Sequence, residues 1–177
     1  MEEKLTTPFS VIYNRFLAKA TDDLYMEMTK EETYGDLETI LLSAIASFEF
    51  PRFPIFNYSL EAEIIGENGE TVIISKGEFK SELTFEEIEI VSDLMIIEWV
   101  RRQINSVENT RIKYSGSDFK FTSQANHLDK LLKFKKDSEV TNKHKQRLYK
   151  RRKVAANGTI ETNWAGLAGG VIDGTRN

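Results

Sequence analysis

"TFEEIEIVSDLMIIEWVRRQINSV", residues 84–107, decides how the rest of the chain is read. Thr84 and Glu87 stand three apart at its head. That is the spacing of a capping box, in which a hydroxyl and a carboxylate each take up a backbone N–H left orphaned at a helix start. Behind them Phe85, Ile88, Val91, Leu94, Met95, Trp99 and Ile104 recur at helical intervals, as one buried face requires. Ile96, Ile97 and Val100 widen the stripe. The spacing therefore predicts a helix over 85–107, covered on more than one side, at the centre of the core.

Working outward, the chain supplies partners for this helix. Phe9, Ile12, Tyr13, Phe16 and Leu17 predict a first helix over 8–20, with Thr7 as cap and Pro8 at the first helical position. A short segment near Leu24–Met28 follows. Leu37, Ile40, Leu41, Ala44 and Ile45 predict a second helix over 36–47, opened by Gly35 and capped by Asp36. "FEFPRFPIF", residues 48–56, reads as an extended aromatic connector, since the residues before Pro51 and Pro54 are pushed out of helical geometry. "SLEAEII" and "ETVIIS" flank "GENG", a hairpin signal through Asn68-Gly69. A lone two-stranded hairpin is marginal and must lean on something.

Past the central helix, "NTRIKYSGSDFKF" reads as an extended excursion turning at Ser115-Gly116. Ser123 is expected to cap a fourth helix from about 124, with Leu128, Leu131, Leu132 and Phe134 as its apolar positions. Val140, Leu148 and Tyr149 are sparse beyond, and one long helix or two broken near Asp137-Ser138 are both open. From about Val154 the chain turns rich in glycine, yet carries Ile160, Trp164, Leu167, Val171 and Ile172. The fold class expected is mainly α with a small β-hairpin (α+β), a helical-bundle core with an extended C-terminal arm. The organisation expected is a core over 1–135 with the hairpin inserted at about 58–77, a basic helical arm over 136–153, and an extended Gly-rich tail over 154–177.

The 177 residues suit one domain with appendages. There is no cysteine, which excludes disulfides, thiolate nucleophiles and cysteine-ligated metals. "MEEKLTTPF" does not read as a secretory signal, and the most apolar run, Ile88–Val100, is interrupted by Glu89, Asp93 and Glu98. A span needs about 20 apolar residues, so no membrane segment is expected. His127 and His144 are 17 apart with no third ligand at metal spacing. The glycine strings "SGSD" and "LAGG" lack a phosphate-loop context. Glu86, Glu89 and Asp93 share a helical face, but acids near a helix start are favoured by its dipole alone. No catalytic residue, metal or cofactor is expected, and the chain is not expected to be an enzyme.

Charge is the strongest functional signal. Residues 130–153 hold eleven Lys/Arg against Asp137 and Glu139, a local charge of +9 in a chain of net charge −4, so the remainder carries −13. Such asymmetry points to an acidic partner, either protein or a phosphate backbone, or to pairing with the acidic half of the same chain. The candidate partner-binding residues are Lys143, Lys145, Arg147, Lys150, Arg151 and Arg152 of the arm, with Ile160, Trp164, Leu167, Val171 and Ile172 of the tail. Phe119, Phe121, Phe53 and Phe56 are the candidate subunit-interface residues, because aromatics in extended segments anchor a chain on its own core or on a neighbour.

The succession of "LLSAIASFEFPRF", a hairpin, "TFEEIEIVSDLMIIEWVRRQI" and "YSGSDFKFTSQANHLDKL" resembles the head–tail connector, or adaptor, proteins of the neck of tailed bacteriophages, over residues 35–135. "SDFKFTSQANHL" is the most specific part. The resemblance implies a helical-bundle subunit, made in the host cytoplasm and located in the virion. It would form a homo-oligomeric ring, commonly a dodecamer, against the portal protein and the next neck or tail protein, around or lining the DNA channel. The alternatives are a nucleic-acid-binding module using residues 130–153 without sequence specificity, or another tail-completion or baseplate subunit.

Overall fold

The computed structural model describes residues 6–20, 24–60, 62–67, 70–75, 77–113, 121–154 and 160–162. In chain order these form β1 (Thr7–Pro8), α1 (Phe9–Leu17), α2 (Leu24–Glu27), α3 (Lys30–Ala46), α4 (Phe53–Phe56), β2 (Tyr58–Ser59), β3 (Ala62–Glu67), β4 (Glu70–Ser75), β5 (Glu78–Phe79), α5 (Phe85–Lys113), α6 (Phe121–Arg151), β6 (Arg152–Val154) and β7 (Ile160–Thr162). The protein is mainly helical with small antiparallel β elements, as its patterning implies.

The centre is α5, against which α1, α3 and α6 all pack. Its capping box forms: the Thr84 N–H donates to Glu87 Oε2 at 2.8 Å, and the Glu87 N–H to Thr84 Oγ1 at 3.3 Å. Ile90, Val91, Leu94, Met95, Ile96, Ile97, Val100 and Ile104 are buried on several sides of the helix. Phe85 is not part of that core. It is 69% exposed, because it precedes the first packed turn, and the Arg15 guanidinium lies over its ring at 5.4 Å.

Three other expectations change. Thr7 does not cap α1: its Oγ1 accepts from the Leu83 N–H at 2.8 Å and donates to the Ser81 carbonyl at 3.2 Å, tying β1 to the approach to α5. The helix after α2 begins at Lys30, six residues before the expected start, because Thr29 and Glu32 make a complete capping box. Gly35 lies inside it, where an added Cβ would meet nothing within 4 Å. The aromatic connector contains a single helical turn, α4, with Pro54 in its first turn, where a missing N–H costs nothing.

The hairpin is present. β3 pairs antiparallel with β4, Glu67 facing Glu70 across a two-residue connection, and β4 runs beside α3. A second sheet, not expected, orders β1-β5-β2, with Thr7 and Tyr58 both registered on Phe79. Gly77 allows it: a Cβ there would sit 2.3 Å from the buried Phe9 ring, and the Phe9 N–H donates to the Gly77 carbonyl at 2.9 Å.

A continuous helix of 31 residues, α6 runs through Asp137-Ser138 without a break. It starts at Phe121, so Ser123 lies inside it. Its inner stripe is Leu128, Leu131, Asn142, Gln146 and Tyr149; Leu132 and Phe134 are exposed instead, and Val140 is 63% exposed. The polar members are hydrogen-bonded in series. Asn142 Nδ2 donates to the Ile90 carbonyl at 3.0 Å, Gln146 Nε2 to Asn142 Oδ1 at 2.6 Å, and the Glu49 N–H to Gln146 Oε1 at 2.8 Å. Tyr149 donates to Glu87 Oε1 at 2.5 Å. Arg52 Nη2 closes the end, donating to the Arg152 carbonyl at 2.7 Å and the Tyr149 carbonyl at 3.4 Å, carbonyls that a helix terminus leaves without intrahelical donors.

Candidate functional site

The basic segment divides by helix face. Cations flanking the buried stripe of α6 are used within the chain: Lys145 pairs with Asp93 at 2.5 Å, Arg152 with Glu86 at 2.7 Å, Lys143 with Glu49 at 3.4 Å and Lys135 with Glu139 at 2.6 Å. The Lys150 ammonium sits 4.3 Å over the Phe50 ring. Lys130, Lys133, Lys136, Arg147 and Arg151 are exposed, with no ion-pair or hydrogen-bond partner among the described residues. Residues 133, 136, 140, 144, 147 and 151 follow one another at three and four, so they share the outer face. That face carries Val140 and the exposed His144 among its cations.

The acids of α5 are not simply solvated. Lys19, in the turn just after α1, bridges Glu89 at 3.0 Å and Asp93 at 2.7 Å and donates to Ser92 Oγ at 2.8 Å, while Arg15 of α1 pairs with Glu89. Burial works to raise the Glu89 carboxyl; the hydrogen bonds and charges of Arg15 and Lys19 outweigh it and hold it below the usual carboxylate range. The seam Arg15–Glu89–Lys19–Asp93–Lys145 thus stitches α1, α5 and α6 together. Surface pairs of this kind each contribute roughly 0–1 kcal/mol, so their main effect is to orient the helices.

Two clefts flank the contact between α5 and α6. One, of about 390 Å³, is lined by Lys19, Asp93, Ile96, Phe134, Asp137, Ser138, Thr141 and Lys145. The other, of about 280 Å³, is lined chiefly by Glu49, Glu98, Arg101, Glu139 and Lys143. His127 and His144 are each exposed. Among the described residues no helix is long and apolar enough to cross a membrane.

The candidate residues therefore scatter. Lys143, Lys145 and Arg152 are engaged internally, Lys150 is stacked, and Arg147 and Arg151 face outward. Phe56, the last residue of α4, is 57% exposed. Phe53 begins α4, Phe121 begins α6, and Ile160 pairs with Val154 in the β6–β7 hairpin; their side chains lie outside the described residues. Phe119, Trp164, Leu167, Val171 and Ile172 lie outside them altogether. The residues that sequence reasoning missed are Arg15, Lys19, Arg52, Asn142 and Gln146. For the last two a signal existed: they continue, at three and four, the register of Leu128 and Leu131. No protein-family model, curated protein or solved structure matches the chain.

Proposed function

We propose that this protein is a structural subunit of a tailed-bacteriophage neck, one copy of a homo-oligomeric ring seated between the portal and the next neck or tail protein, with no catalytic task. The observation that carries the assembly role is the outer face of α6. Its four cations, Lys133, Lys136, Arg147 and Arg151, find no partner within the described protomer, and Val140 and Phe134 stand exposed on the same helix. The described residues leave that combination uncovered; a neighbour, or the portal, would supply both acids and apolar cover, and a head-to-tail contact whose rotation closes gives a ring. The phage setting rests on the resemblance across residues 35–135. The test is sedimentation and negative-stain imaging of the full chain alone and with purified portal. Rings or portal-bound complexes are expected; a chain that stays monomeric at every concentration with portal present overturns the reading.

The same face also supports the second reading, contact with packaged DNA, since phosphate binding needs only Lys/Arg density along a groove or face. Replacing Lys133, Lys136, Arg147 and Arg151 by glutamine leaves the internal pairs intact. If DNA is the partner, the quadruple variant loses both duplex binding and its salt dependence. Unchanged binding rejects this face as the DNA site.

A further inference from the structure

Two acid-rich stretches of the described chain are used differently. Residues 82–93 carry Glu82, Glu86, Glu87, Glu89 and Asp93. All but Glu82 are engaged inside the protomer: Glu86 by Arg152, Glu87 by the Tyr149 hydroxyl, and Glu89 and Asp93 by Arg15, Lys19 and Lys145. Residues 24–38 carry five acids, Glu27, Glu31, Glu32, Asp36 and Glu38, against Lys30, a local charge of −4. Arg102 and the Tyr25 hydroxyl hold Asp36, and Glu32 accepts from the Thr29 N–H. The Glu27 and Glu31 carboxylates have no ion-pair or hydrogen-bond partner among the described residues. Met26, beside Glu27, is 88% exposed. The corner where α2 meets α3 therefore presents an apolar side chain flanked by uncompensated acids.

The outer face of α6 is built the same way with the sign reversed: exposed Val140 among Lys133, Lys136, Arg147 and Arg151. Two such faces do not pair with each other, because like charges would be brought together. Copies joined through α6 must therefore use a second, acidic surface, and the contact is heterologous. One protomer cannot close the pair on itself. Asp93, which holds Lys145 of α6, and Arg102, which holds Asp36 of α3, are nine residues apart on α5. At about 100° per residue that is half a revolution, so these two attachments are on opposite faces of α5. Helix α3 meets α6 just past its C-terminal end, where the Glu49 N–H donates to Gln146. Its 17 residues make a rod about 25 Å long, which carries its first turn away from that contact.

We infer that the outer face of α6 in one copy docks on the α2–α3 corner of a second copy, with the α6 cations facing Glu27, Glu31 and Glu32 around a Val140–Met26 contact. The inference rests on the ring reading and names the surface that receives α6. Each joined pair still has one free surface of each kind, so the contact repeats until rotation closes it.

The test is sedimentation equilibrium of the full chain at low salt, alone and with purified portal. Glu27→Lys with Glu31→Lys reverses the corner; Arg147→Glu with Arg151→Glu reverses the α6 face. All four side chains lie outside the internal ion pairs, and circular dichroism checks the fold. Each double variant should weaken self-association at least about tenfold, and the quadruple variant, with both signs exchanged, should return to within about threefold of wild type, as should an equimolar mixture of the two doubles. Wild-type assembly that survives the corner reversal overturns this contact and leaves the ring reading standing on another surface. A quadruple variant that stays dissociated also overturns the contact. A wild-type chain that is monomeric with portal present overturns both. An α6 reversal that costs duplex-DNA binding alone, with self-association unchanged, gives that face to the phosphate backbone and overturns the contact.

Discussion

Replacing Tyr149 by phenylalanine removes one oxygen from a tightly accounted site. Tyr149 is 1% exposed, and its hydroxyl donates to Glu87 Oε1 at 2.5 Å. Glu87 is 2% exposed, and its other oxygen is already committed to the Thr84 N–H and hydroxyl, each at 2.8 Å. The ring itself stays, 5.6 Å from Phe48 and 4.2 Å beneath the Arg52 guanidinium, so packing terms cancel. What is lost is a hydrogen bond to a buried acidic group, about 1.5–3 kcal/mol. A loss of about 2 kcal/mol lowers the folding constant roughly thirtyfold, and with a urea slope of about 2 kcal/mol/M the midpoint falls by about 1 M. Tyr13→Phe is the matched control. The Tyr13 hydroxyl is also buried but has no hydrogen-bond partner among the described residues, so its removal should be neutral or stabilising by up to about 1 kcal/mol. Both phenols are pushed above their ordinary 10, Tyr149 by burial and then its Glu87 bond, Tyr13 by burial and then the Glu38 charge. The folded chain thus keeps protons that the unfolded chain releases, so this contribution is full below pH 10 and is lost as pH rises further. Each substitution should remove part of that alkaline slope. Urea curves at pH 7 that move equally and in one direction for both variants would refute the reasoning.

Gly77→Ala should lower the melting temperature by about 2–12 °C, from 1–3 kcal/mol of overpacking against Phe9, as read by thermal circular dichroism. For Glu89, whose carboxyl is held below its ordinary 4.5, the stabilisation is complete above that pH and is lost as pH falls through the folded value. Urea midpoints of the wild type should therefore decline more steeply in acid than those of Glu89→Gln, and parallel acid limbs would remove Glu89 from the seam. Arg52→Leu should cost about 1–3 kcal/mol in the same denaturation assay, because two carbonyls at the end of α6 lose their donor.

The elements carried by local chemistry were legible. Thr84 with Glu87 announces α5, and Asn68-Gly69 between two β-branched runs announces the hairpin. Thr29 with Glu32 is an equally good start signal, but Gly35-Asp36 competes with it, and a glycine inside a helix costs only about 1 kcal/mol. The β1-β5-β2 sheet is built of two-residue strands, too short for any alternation to register, and depends on Gly77 meeting Phe9 from 68 positions away. For the candidate surface, the cationic density of α6 is plain in the sequence, but its division into engaged and outward-facing side chains is not. That division is set by where Glu49, Glu86 and Asp93 arrive in space. The buried stripe of α6 was obscured for a related reason: Asn142 and Gln146 look like solvent residues until the Ile90 carbonyl and the Glu49 N–H are known to meet them.

The two halves of α6 are fastened by different means, which gives the helix a preferred way of coming loose. Toward Arg151 it is latched by directional bonds through Asn142, Gln146, Tyr149 and Arg52; toward Phe121 its buried contacts among the described residues are Leu128 and, in part, Leu131. Greasy contacts let go singly, whereas a bonded series strands several polar groups at once if it shifts by a turn. Amide exchange should therefore run fastest over 121–135 and slowest over 142–150. The rod would swing about a pivot near Asn142 and keep its latched end seated.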